Sequence, residues 1–227
     1  MNAFAHVAID GPAGSGKTTV ARALGRLLGI LYLDTGAMYR AVALAALRAG
    51  VDPGDEAAVE RLVRERPIRV VFDAAAPNGY RIFAGAEEFG DELEGNDVSR
   101  TVSLVSAFPG VRELMAARQR EIAQAGPVVM AGRDIGTVVL PGAAVKVFLT
   151  ASLDARVARR LAELKGRGLK IPLAELRLQM DERDRLDEGR AVAPLRAAPE
   201  ATLIDSSALS VDEVVARIAA LVAAAAG

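Results

Sequence analysis

The chain has 227 residues, 28 Lys+Arg against 29 Asp+Glu, a formal net charge of −1 and 52% apolar residues. That is enough for one large domain, or a domain with insertions, around a proper core. The near-neutral balance excludes the broad basic face that generic binding to nucleic-acid phosphates needs, and the lack of cysteine excludes disulfides, thiolate nucleophiles and cysteine-ligated metals.

The opening M-N-A-F-A-H-V carries no positive region followed by an apolar stretch, and no later run approaches the roughly 18 apolar residues of a membrane span, so a soluble, cytoplasmic chain is expected. Residues 6–10 read as a short buried strand with His6 at its start. One histidine leaves no multi-histidine metal centre and argues against a serine–histidine nucleophile. Glycines then punctuate residues 11–16, and 15–28 has helical spacing. A short apolar run at 30–33 leads into Asp34-Thr35-Gly36, where Thr35 can cap a helix over 38–48 or contact a substrate.

Residues 68–72 are β-rich, 77–79 (Pro-Asn-Gly) form a turn and 80–83 return, which predicts an antiparallel hairpin inserted into the core and ending near Glu94, where polar residues lead into a helix. Helical patterns follow at 111–124 and 153–164, and buried-strand patterns at 127–130, 145–150 and 202–204. The segment 165–172 (K-G-R-G-L-K-I-P) is either a mobile flap or a solvated turn. The Ala-rich stretch 211–226 reads as a final helix over 211–222, with Ser210 as cap before Asp212 and Glu213. Strands alternating with helices imply an α/β fold: a parallel sheet with helices on both faces.

Of the basic residues 24 are arginine and 4 lysine, and the first 145 residues hold a single lysine, Lys17. Gly11-Pro12-Ala13-Gly14-Ser15-Gly16-Lys17-Thr18 matches the phosphate-binding pattern G-x-x-x-x-G-K-[ST], between a strand and a helix as that pattern requires. Glycines let backbone N–H groups curl around a polyphosphate, and the helix N-terminus adds partial positive charge. Lys17 reaches the outer phosphates and the Thr18 hydroxyl can ligate Mg²⁺. A guanine-specific switch should carry N-K-x-D, and the chain has no Asn-Lys pair; a motor or transport ATPase should show an apolar strand ending in an acid, and the best candidate ends Val128-Val129-Met130-Ala131.

What recurs outside the loop is arginine: Arg40, Arg112, Arg133, Arg156, Arg159, Arg160, Arg183, Arg185 and Arg190. Phosphoryl transfer between two anionic nucleotides needs such a set, because the guanidinium fork neutralises phosphate bidentately.

Four segments together resemble bacterial-type cytidylate kinases: I-D-G-P-A-G-S-G-K-T-T (9–19), Y-L-D-T-G-A-M-Y-R (32–40), G-R-D-I-G-T-V-V (132–139) and E-R-D-R-L-D-E-G-R-A-V-A-P-L (182–195). V-S-A-F-P-G-V-R (105–112) and L-I-D-S-S (203–207) extend the similarity over nearly the whole chain. The resemblance implies a nucleoside monophosphate kinase fold with core segments at 1–66, 101–160 and 176–227, an acceptor-binding insertion at 67–100 and a helical lid at 161–175. It implies that ATP with Mg²⁺ phosphorylates CMP or dCMP, on a monomer that takes small molecules and neither nucleic acid nor membrane. Gly11 to Thr18 with Thr19 would bind ATP, and Lys17, Arg40, Arg133 and Arg190 would act on the phosphates. Residues matching Arg40, Arg133 and Arg190 hold the acceptor phosphate in the family, those matching Ser103, Arg112 and Asp134 read the base, and those matching Arg183 and Asp187 touch the sugar. Thr35 joins the acceptor contacts, and Thr18 is the metal ligand.

The base-reading set suits cytosine chemically. The exocyclic amine wants a carboxylate, which Asp134 supplies, while ring N3 and O2 want donors, which Ser103 and Arg112 supply. Uracil would set O4 against a carboxylate. Asp134 has a plainer reading as a loop carboxylate paired with Arg133. Arg156, Arg159 and Arg160 share a helical face, as a clamp on the transferred phosphate or as a solvated basic face. Asp205-Ser206-Ser207 borders the adenine or simply turns. The family often has an acid just before Gly-Arg-Asp, where this chain has Ala131, so Mg²⁺ would rest on Thr18, phosphates and water, with Asp10 or Asp34 as possible help. Two other readings stand beside this one: a P-loop kinase for a different nucleoside monophosphate or small acceptor, and a nucleotide sensor that transfers nothing.

Overall fold

Strand β1 (Val7–Asp10) is buried along its whole length, the mark of a strand covered on both faces. In the computed structural model, which describes residues 6–225, β1 is the middle strand of a five-stranded sheet. The opening residues 1–5 and the end of the Ala-rich stretch at 226–227 lie outside the described residues. With β2 (Leu31–Asp34), β6 (Val128–Gly132), β7 (Val145–Thr150) and β8 (Thr202–Asp205), the order is β2-β6-β1-β7-β8. β1 runs parallel to β6 and to β7, and β7 parallel to β8. Val7 and Ile9 are fully enclosed, and each such side chain contributes about 2 kcal/mol by leaving water.

The chain divides into two compact units, Met1–Leu33 with Pro127–Gly227 and Asp34–Gly126. In the first, α1 (Lys17–Leu28) and α8 (Val211–Ala225) pack on one another. α1 starts later than its spacing predicts because Ser15 and Gly16 belong to the preceding loop, Gly16 standing at φ 94°. α8 opens on a reciprocal cap, Ser210 Oγ accepting from the Glu213 N–H at 3.2 Å and Glu213 Oε2 accepting from the Ser210 N–H at 2.8 Å. α6 (Leu153–Gly166) and α7 (Leu173–Glu188) share a small core of Val157, Leu164, Leu176 and Met180. Leu169 and Ile171, in the connection between them, pack against that core, so the segment is tethered by apolar contacts rather than simply solvated.

In the second unit, α2 (Thr35–Ala49) is a buried helix rich in alanine, which lets its neighbours approach closely. α3 (Glu56–Glu65), α4 (Asn96–Val105) and α5 (Pro109–Gln124) complete its helices. The predicted hairpin is present as β3 (Ile68–Phe72) and β4 (Tyr80–Ala84), and a third antiparallel strand, β5 (Glu87–Phe89), pairs with β4. The cap of α2 is not Thr35: Asp34 occupies the cap position, its Oδ1 accepting from the Gly36 N–H at 2.9 Å, and Thr35 is the first helical residue, buried. A carboxylate at that position also meets the positive end of the helix.

Candidate active site

The loop between β1 and α1 holds Gly11, Gly14 and Gly16 at φ values of 150°, 76° and 94°. A Cβ on Gly11 would lie 2.0 Å from the Leu149 carbonyl oxygen, so only glycine fits there. Lys17 is buried, and its Nζ donates to the Pro12 carbonyl at 2.6 Å and to Ser15 Oγ at 3.4 Å, which folds the ammonium back over its own loop. Thr18 and Thr19 lie exposed in the first turn of α1.

The outer side of this loop is braced by residues whose position the spacing of arginines only partly signals. Arg156, 6% exposed, donates to the Ala151 carbonyl at 3.0 Å and the Ala13 carbonyl at 3.2 Å, and its Nη1 lies 2.6 Å from Asp184 Oδ2. Arg159 donates to Ser206 Oγ at 3.0 Å, to the Ser206 carbonyl, and to the Ser15 carbonyl at 3.4 Å. Ser206 Oγ also lies 3.0 Å from the carbonyl oxygens of Ser15 and of Thr150. The shared face of Arg156 and Arg159 is therefore not simply solvated; it grips the Ala13 and Ser15 carbonyls of the loop. Arg160, by contrast, pairs with Glu163 nearby on its own helix. Ser206 is attached to the loop, so its segment does more than turn the chain.

Asp10 ends β1 and is 4% exposed. Its two oxygens accept from the Ile135 N–H at 2.8 Å and the Gly136 N–H at 2.7 Å, at the head of a π-turn over Ile135–Val139. Burial pushes its carboxyl up to about 6 against the two amides, with nearby Asp134 raising it further and Lys17 lowering it. Each Asp10 oxygen thus takes one backbone amide, which fixes the direction of the carboxylate.

Arg133 and Asp134 follow β6 directly, and Asp134 is buried. Arg133 Nε donates to Asp187 Oδ2 at 2.8 Å, and Arg190 donates to Asp187 Oδ1. Burial pushes the Asp187 carboxyl up, but Arg133, Arg190 and Arg183 outweigh it and hold the group below the usual carboxylate range. Three arginines assigned to acceptor phosphate and sugar therefore act on one carboxylate, that of Asp187, itself assigned to the sugar.

Within the other unit, Arg40 Nη1 donates to the Leu93 carbonyl at 3.2 Å and to Ser99 Oγ at 3.0 Å, with Glu94 at 3.7 Å from Nη2. Arg112 is buried, donates to the Ser106 carbonyl at 2.9 Å and lies 5.4 Å over the Tyr39 ring. Ser106 Oγ in turn donates to the Ser103 carbonyl at 3.2 Å, so the turn between α4 and α5 links two of the residues assigned to the base.

A parallel sheet whose central strand feeds a glycine loop and a helix, with that loop's lysine drawn over it and its carbonyls gripped by arginines, defines a P-loop kinase. A gluconokinase from Sinorhizobium meliloti 1021 has the same fold, with a TM-score of 0.50, 16% identity and coverage of 100% of this chain and 95% of that one. The model of the cytidylate kinase family matches residues 7–224, and the chain belongs to that family. The cytidylate kinase of Pelotomaculum thermopropionicum is 48% identical over 99% of this chain and 98% of its own length, and that of Geobacillus kaustophilus 48% identical over 95% of each.

Proposed function

We propose that this protein transfers the γ-phosphoryl group of ATP to CMP or dCMP, giving ADP and CDP or dCDP. The observation that carries this is membership of the cytidylate kinase family over essentially the whole chain. An oxygen of the acceptor phosphate attacks the γ-phosphorus, the bond to the β-phosphate oxygen breaks, and the electron pair leaves with ADP. The attacking oxygen is already anionic, so no general base is required and the protein's task is positioning and charge neutralisation.

In this reading the amides of Gly11, Pro12, Ala13, Gly14, Ser15 and Gly16 where present, together with Lys17, Thr18 and Thr19, hold the donor's phosphates. Proline contributes no N–H, and its carbonyl instead fixes Lys17. Arg40, Arg133 and Arg190 hold the acceptor phosphate, Arg183 and Asp187 the sugar, Ser103, Arg112 and Asp134 the base, with Thr35 beside the acceptor. The Thr18 hydroxyl, exposed at the start of α1, suits Mg²⁺, which when bound would neutralise charge on the β- and γ-phosphates. In this reading Thr18, the phosphates and water would hold the Mg²⁺, with Asp10 or Asp34 as help. Residues 161–175, the end of α6, the connection and the start of α7, are the lid assigned to close over the nucleotides and exclude water.

No helix among the described residues is long and apolar enough to cross a membrane. The same reading has the enzyme act as a monomer in the cytoplasm, on small molecules alone. The test is ADP release across CMP, dCMP, UMP, AMP and GMP. Cytosine nucleotides should be preferred by at least about tenfold in kcat/KM; equal turnover of all five would overturn the assignment.

A further inference from the structure

Asp10 is joined to the acceptor-reading segment twice. Its backbone is in register with Gly132, the residue before Arg133 and Asp134, and its side chain takes the amides of Ile135 and Gly136 just after them. Residues 132–136 therefore wrap around one buried carboxylate that lies 125 and 126 positions away in the chain from the amides it accepts. The approach is close at Gly136, where an added Cβ would meet Asp10 Oδ2 and the Lys146 side chain at 3.4 Å, the edge of ordinary contact. Asp134 sits between the two attachments at φ −143° and ψ 25°, outside helix and strand, so its direction is set by what holds its neighbours.

Each carboxylate oxygen of Asp10 takes one amide, whereas an amide side chain in the same pose would turn its own N–H₂ toward one of the two donors. Burying a carboxylate costs free energy that an apolar core residue would not.

We infer that Asp10 is a positioning residue for cytosine recognition, fixing Ile135 and Gly136 so that Asp134 meets the exocyclic amine. This rests on the assignment of Asp134 to the base. Asp10 also precedes Gly11 of the phosphate loop, so its two possible effects, on donor and on acceptor, must be separated.

The experiment is steady-state kinetics of Asp10→Asn with CMP and UMP as acceptors and with ATP varied. Misaiming one recognition group is expected to lower the CMP-to-UMP ratio of kcat/KM about tenfold or more, while KM for ATP moves less than about twofold. Asp10→Glu, which keeps both oxygens but displaces them by a methylene, serves if the amide variant does not fold; its ratio is expected to fall in the same direction. An unchanged ratio in the folded variants, or a loss shared equally by ATP and both acceptors, would overturn the inference while leaving the cytidylate kinase assignment standing. A wild-type protein that itself shows no preference for CMP over UMP would instead overturn the assignment of Asp134, and the inference with it.

Discussion

Arg133 Nε and Asp187 Oδ2 are 2.8 Å apart, and the carboxylate, 1% exposed, is also bound by Arg190. Two phosphate-binding candidates are thus pre-aligned by a single acid, which reduces the entropy lost when they close on a ligand. Asp187→Asn removes the single negative charge that the two guanidiniums share. Breaking a buried pair of this kind costs about 3 kcal/mol of stability, and KM for CMP should rise at least about tenfold with KM for ATP little changed. Kinetics and urea unfolding check both halves.

The same group gives a pH dependence. Its carboxyl is held below the usual range in the folded chain, so above the ordinary carboxylate pKa the unfolded and folded forms are both ionised and the ion pairs contribute in full. As pH falls below that value the unfolded chain takes up a proton first, and the contribution is lost as pH passes down through the lowered native value. Wild type and Asp187→Asn should therefore converge in thermal stability at strongly acidic pH and diverge above about pH 4.

Asp10 has the opposite sign. With a native value of about 6 against an ordinary 3.8, the folded chain retains a proton that the unfolded chain has already released. Its contribution to stability thus declines as pH rises between those values, by on the order of 2 to 3 kcal/mol, and the whole cost is present above about pH 6. Urea unfolding of wild type and Asp10→Asn at pH 4.5, inside that window, and at pH 7.5, above it, should show wild type losing ground to the variant at the higher pH. Parallel behaviour would contradict the raised value.

Much of this was legible in the chain. The strand, the eight-residue loop motif and the following helix could be read because glycine and lysine spacing carries their geometry, and the hairpin because a Pro-Asn-Gly turn separates two β-rich runs. Strand β5 was not, since two of its three residues are glutamates, and their pairing with Arg48 and Arg81 and the burial of Phe89 leave no β-rich pattern in three residues. Helix α3 passed unread although Val59, Leu62 and Val63 have helical spacing behind an Asp55 cap. Arg156 and Arg159 showed a common face, but spacing cannot say that the carbonyls of Ala13 and Ser15 lie beneath it. Asp10 looked like a strand end because its partners are amides more than a hundred residues away.

The grip on the phosphate loop gives its own expectation. Arg156→Met keeps the aliphatic stem but releases the Ala13 carbonyl and leaves Asp184 without its cation. KM for ATP should rise about fivefold or more while KM for CMP stays within about twofold, and stability should fall by about 3 kcal/mol. A variant that lost affinity for both substrates equally would count against a local role at the loop.

Two glycines with positive φ separate conformation from space. Gly29, at φ 65° with nothing within 4 Å of an added Cβ, should tolerate alanine at a cost of about 1 kcal/mol and with normal kinetics. Gly11→Ala must move the loop away from Leu149 and should abolish measurable ATP binding, as titration calorimetry would report.

Lys17, the ammonium folded over the phosphate loop, is the side chain on which phosphoryl transfer depends most. In a Lys17→Ala variant shown by circular dichroism and thermal unfolding to keep the native fold, ADP formation in the presence of CMP should fall by at least about a hundredfold. CMP-dependent turnover within about twofold of wild type in that variant would contradict that dependence.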